Sequence, residues 1–171
     1  MTALAIISAA IALAFVLTAI ARIHEVPDSI SALVYTCRWR WSWTMWLWAV
    51  ALTLAAPLIE SLHERHAYAG FLTAASLLMV GAMPLSGTDS RTVHNAVGVL
   101  AGVLSQLCVL LLSPLWLLWW SLMAAAFVAW HDDTRIPMLA GKAVFLAEAV
   151  CALSLYGSLL TVVFTKHYYS L

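Results

Sequence analysis

Residues 95–130 read NAVGVLAGVLSQLCVLLLSPLWLLWWSLMAAAFVAW, 36 residues without one Asp, Glu, Lys or Arg. At 1.5 Å per residue a single helix of that length would run about 54 Å, nearly twice the ~30 Å hydrocarbon core of a bilayer. Ser113-Pro114 lies at its middle, and a residue before proline is biased away from the α region. The stretch therefore reads as two spans joined by a tight hairpin.

Working outward from it, the same pattern recurs. Residues 1–21, 41–59 and 67–85 are charge-free, and the last apolar run, about 139–164, carries Lys142 near its start and one acid within it, Glu148. The sequence predicts an all-α polytopic membrane bundle of six transmembrane helices in a single domain, at about 2–21, 41–59, 67–85, 94–112, 115–130 and 139–164. Apolar residues make up 64% of the chain, far above the ~45–50% of soluble domains, and no strand-like alternation suggests a barrel. The first run lacks a basic leader segment and is long enough to span, so it is expected to be retained rather than cleaved.

Eight basic and eight acidic residues cancel, which leaves none of the basic excess that nucleic acid requires. Cys37, Cys108 and Cys151 form no CxxC pair and read as small apolar side chains. No glycine-rich phosphate loop, nucleophile elbow or HExxH occurs. A single pair of histidines at one depth, His94 and His131, is a poor basis for a b-type haem site.

The basic residues set an expected orientation. Arg22, Arg38, Arg40, Arg91, Arg135 and Lys142 fall at the loops after the first, third and fifth spans, against Arg65 and Lys166 on the opposite face. The positive-inside rule then puts the odd loops in the cytoplasm, with both termini outside, in a bacterial inner membrane. Trp39, Trp41, Trp43, Trp46 and Trp48 resemble an interfacial belt, and Gly98-x-x-x-Gly102 would admit a close helix neighbour.

The odd-loop face also gathers the polar residues. Pro27 forbids a continuous helix, and Asp28 or Ser29 is placed to cap a new one. Ligand-binding candidates are Asp28, Ser29, Arg38, Arg40, Asp89, Arg91, His94 and Glu148: arginines hold phosphate headgroups, while histidine and carboxyl groups position polar ligands. His94, His131 and Asp132 form a candidate Zn²⁺ set with an open position, although no resident cofactor is otherwise expected. On the other face Glu60, His63 and Glu64 share a helical face by spacing, a weak metal motif better read as a solvated helix end. Glu148 should point into the bundle, either hydrogen-bonded to Ser105, Gln106, Ser121 or Ser154, or paired with Arg38, Arg40, Arg91 or Lys142.

Taken in order, the Pro27-Asp28-Ser29-Ile30-Ser31 element, the Val80-Gly-Ala-Met-Pro84 end of the third span and the His94-Asn95 start of the fourth resemble the bacterial branch of the DRAM/FRAG-like six-helix membrane proteins. The resemblance covers most of the chain and implies the fold, while that branch implies no established activity. Related proteins tend to read Ile-Ser-Asp-Leu-Gly where this chain has Ile30-Ser31-Ala32-Leu33, so an acidic role at Ala32 is not carried over. The expected function is the binding or sensing of a lipid or small molecule in a polar pocket on the odd-loop face. A metal-dependent membrane hydrolase using His94 and His131, and a small transporter or accessory subunit, are the alternatives. Membrane lipids are the expected partners, together with a second copy or another membrane protein.

Overall fold

A computed structural model of the chain describes the backbone of residues 1–36, 40–85, 91–131 and 142–169, and the side chains within it except those of 35, 36, 40, 91, 125–131, 167 and 169. Every regular element among them is helical. The helices are α1 (Thr2–Ile23), a single turn α2 (Leu33–Thr36), α3 (Arg40–Ser61), α4 (Ala67–Ala82), α5 (Arg91–Leu112), α6 (Leu118–His131) and α7 (Ala143–Tyr169). Five of the described helical segments are long and apolar enough to cross a membrane, and the architecture is that of a polytopic membrane bundle.

The ends of these helices have local causes. His24 adopts the left-handed region at φ 56°, and its N–H donates to Ile20 O at 2.9 Å, which closes α1 two residues later than its charge-free run suggests. Pro84 cannot donate an amide, and the end of the third span, Met83–Leu85, is a 3₁₀ turn rather than α-helix. Ser113 is extended at φ −160°, and Pro114 opens a 3₁₀ turn, Pro114–Leu117, that leads into α6. That turn and the 14 residues of α6 together rise about 29 Å. The second half of the 36-residue stretch is thus long enough to return to the face where α5 began. The last helix is described from Ala143 and continues to Tyr169, past its expected end.

Packing closes a ring. α1 lies on α3, α3 on α4, α4 on α5, α5 on α7, and α7 returns to α1 while also touching α3. α6 lies outside this ring against α7. One core cluster fills the half near the helix 3–4 link, with Leu54, Leu58, Cys108, Val109, Leu155 and Leu159 at its centre. The second fills the odd-loop half, built on Leu33, Val34, Trp43, Leu47, Val80 and Ala101. Leu13, Leu17, Phe71, Val99, Val103 and Phe164 face outward, an apolar surface that suits acyl chains and not water.

Two expectations about faces are corrected. Trp41 is exposed as a belt residue should be, but Trp43, Trp46 and Trp48 turn inward. Trp46 stacks on Phe15 at 4.3 Å and donates Nε1–H to Ile11 O at 3.0 Å, and Trp48 donates to Leu78 O at 3.0 Å. These indoles therefore join α3 to α1 and α4; Trp39 lies outside the described residues. Gly98 has open space where a Cβ would stand, and Gly102 has only an ordinary contact with Cys151 Sγ at 3.8 Å, so the GxxxG pair makes no close crossing. The close approaches are elsewhere: a Cβ on Gly81 would stand 2.9 Å from Trp48, and one on Gly157 would fall within the ring of Trp116.

Candidate functional site

The odd-loop face is organised by an exchange of helix caps between the segment after α1 and the start of α7. Ser29 resolves the choice of cap: its Oγ accepts from Ala32 N–H at 2.8 Å and pairs with Ser31 Oγ at 3.0 Å, while Leu33 N–H closes the turn onto Ile30 O at 3.1 Å. The two amides that precede Ala32 still need acceptors. Both find the Glu148 carboxylate, Ser31 N–H at 3.3 Å and Ile30 N–H in a shorter bond. In return Asp28 O accepts from Phe145 N–H at 3.1 Å, one of the first amides of α7. The Asp28 carboxylate also pairs with Lys142 Nζ, but this aspartate is 82% exposed, and such a surface pair contributes at most about 1 kcal/mol.

Among the described side chains, none of the expected partners of Glu148 bonds it. Lys142 is engaged by Asp28, and Arg38, Arg40 and Arg91 contribute no described side chain, Arg38 lying outside the described residues altogether. The intramembrane polar residues bind each other instead. Gln106 Oε1 accepts from Trp120 Nε1–H at 2.8 Å and Ser154 Oγ–H at 3.0 Å, and its Nε2 donates to Ser105 Oγ at 3.1 Å and Cys151 O at 3.3 Å. That node ties α5, α6 and α7 together below the Glu148 level; Ser121 is exposed and apart from it. Loop amides were missed as partners because a sequence names side chains, although Pro27-Asp28-Ser29 did signal that a helix start, with its orphan amides, lay there.

His94 sits in the first turn of α5, only 9% exposed, and faces the bundle. Its Nε2 is fully buried and has no hydrogen-bond partner. Among the described residues Trp43 Nε1 is the one other buried side-chain nitrogen or oxygen in that condition. An orphaned buried polar atom costs about 1–3 kcal/mol, which makes these two atoms unusual features of an otherwise satisfied interior.

The other candidates are not brought together. Asp89 and Asp132 lie outside the described residues, as does the side chain of His131. Among the described residues no three metal-ligating side chains converge. Glu60, His63 and Glu64 do not share a helical face: α3 ends at Ser61, His63 is extended at φ −62° and ψ 146°, and Glu64 opens a separate 3₁₀ turn. Lys166 instead reaches the carbonyls of Glu60 and Ser61 at 3.5 Å, a cationic contact to the C-terminal end of α3. Cys108 is a free thiol at 3.3 Å from Thr73 Oγ1 in the core, Cys151 is also free, and Cys37 lies outside the described residues.

Compared with protein-family models, with curated proteins and with solved structures, the chain finds no match.

Proposed function

We propose that the protein binds a lipid or small amphiphilic molecule at the odd-loop end of the bundle, where α5, α7 and the segment after α1 meet. The observation that carries this reading is the buried, unpartnered Nε2 of His94. A polar atom held dry and unpaired is a defect in a purely structural core, and it becomes an asset when a ligand supplies the missing partner. Glu148 has a scaffolding role in this scheme, since its hydrogen bonds to Ile30 and Ser31 hold the loop segment over that end of the bundle.

The proposed setting is a bacterial inner membrane with the odd loops in the cytoplasm, as the six-to-two distribution of basic residues supports. Native mass spectrometry of the full chain released from a mild detergent tests the binding reading. The expected spectrum carries a bound lipid or metabolite mass that disappears in His94→Phe while the protein stays folded. Identical adducts in both proteins would remove His94 from any binding role. The orientation is tested with Thr134→Cys, which should resist a membrane-impermeant maleimide in intact cells; labelling from outside would reverse the topology.

A further inference from the structure

The segment between α1 and α3 is built as a lid. α1 stops at His24, whose φ of 56° is the one positive value among the described non-glycine residues, and residues 25–29 after it hold no regular structure. Beyond them the chain turns back over the bundle. Leu33 and Val34, 0% and 5% exposed, are buried members of the odd-loop core cluster, and Ile30 packs against it. Four helices of the ring contribute to that cluster, with Phe15 of α1, Trp43 of α3, Val80 of α4 and Val97 of α5 among its residues. Val97 stands one turn along α5 from His94.

The fifth helix of the ring supplies the latch. Glu148 of α7 accepts the amides of Ile30 and Ser31, and Asp28 O accepts Phe145 N–H from the first turn of α7. None of these bonds belongs to a helical ladder, so all of them can break while α7 keeps its turns. With the exposed Lys142–Asp28 pair and the two buried side chains of α2, they are what holds the segment down. Each helix of the ring is 16 residues long or longer and lies along two neighbours or more. Local opening is easiest where buried contacts are fewest, which is here the segment and not the ring.

We propose that residues 25–34 are a lid, hinged at His24 and latched on Glu148, that opens over the odd-loop end of the bundle while α1, α3, α4, α5 and α7 stay packed. Opening lifts Leu33 and Val34 out of the cluster and uncovers the end of the bundle where His94 lies. The motion stands by itself; the admission of a ligand through it rests on the reading of His94 as a ligand-binding residue.

Amide hydrogen exchange of the unaltered full chain in detergent, resolved to single residues, reads the motion. The amides of residues 30–34 all have acceptors, so their exchange reports opening and not mere exposure. They should exchange together, at least about a hundredfold faster than the central amides of α3 and α4. Phe145 N–H should follow the lid's rate although its residue belongs to α7, because its acceptor leaves with the lid. Leu33→Ala should speed the exchange of residues 30–34 by about thirtyfold or more, the factor that matches the smaller losses seen for a buried leucine, and leave α4 as it was. Lid amides as well protected as those of α4, or a Leu33→Ala that speeds both alike, would overturn the lid, since the segment would then come away only with the whole bundle. A Phe145 amide that stays protected while residues 30–34 exchange would overturn the latch. Should Leu33→Ala fail to fold, the wild-type rates decide the matter alone. If the lid opens as expected while wild type and His94→Phe carry the same adducts in native mass spectrometry, the lid stands and its role in admitting a ligand to His94 falls.

Discussion

Replacing Glu148 separates an acceptor of loop amides from a partner of a buried cation. In the wild type its carboxylate receives the N–H groups of Ile30 and Ser31. Glu148→Gln keeps an amide oxygen in nearly the same place and loses only the charge-assisted part of the bonds. Charged hydrogen bonds contribute about 1.5–3 kcal/mol and neutral ones about 1 kcal/mol, so weakening two of them should cost roughly 1–4 kcal/mol in all. Glu148→Leu removes the acceptor and leaves two amides unsatisfied at about 1–3 kcal/mol each, roughly 2–6 kcal/mol. The leucine variant should therefore be clearly the less stable of the two.

Reversible unfolding of the detergent-solubilised protein gives the global difference. A cysteine placed at Ile30 reports the local one: its reactivity toward a maleimide should rise only slightly in the Gln background and strongly in the Leu background, because the loop is freed before the bundle opens. Were Glu148 the counter-charge of a buried cation, Gln and Leu would both strand that cation and cost alike, about 3–5 kcal/mol. Equal losses, or a leucine variant as stable as the glutamine one, would refute the capping role.

Three further outcomes follow from the packing. Gly157→Ala should destabilise by about 1–3 kcal/mol because its Cβ would overlap the Trp116 ring, whereas Gly98→Ala, with open space around it, should change the unfolding midpoint by less than about 0.5 kcal/mol; a reversed order would disprove the helix faces assigned here. Gln106→Leu strands Trp120 Nε1 and the second bond of Ser154, and should lower stability by about 1–3 kcal/mol with a blue-shifted or weakened tryptophan signal from α6; an unchanged spectrum and midpoint would show the node to be idle. Lys142→Ala should cost at most about 1 kcal/mol, and less in high salt, since its partner Asp28 is largely solvated; a larger loss measured by the same unfolding assay would mean that the pair holds the loop by itself.

Where the helices lie was legible from local information alone. A bilayer tolerates almost no unpaired charge, so charge-free runs mark the helices, and the proline at residue 114 divides the longest run because it lacks an amide and restricts its neighbour. The capping of the turn after α1 was legible to within one residue, Asp28 or Ser29, for the same local reason. The faces of the helices were not legible. A span surrounded by lipid needs no apolar stripe to point its inner side, since acyl chains are as apolar as a protein core, and the sequence pattern carries little trace of which side meets protein. Hence the tryptophans of α3 read as a belt although three of them face inward, and the Gly98–Gly102 spacing would admit a close neighbour although the close contacts are at Gly81 and Gly157. Glu148 shows the same division. The one acid inside a span is visible in the sequence, but the amides it binds among the described residues, those of Ile30 and Ser31, are more than a hundred residues away, and only the closure of α7 onto the segment after α1 brings them within reach.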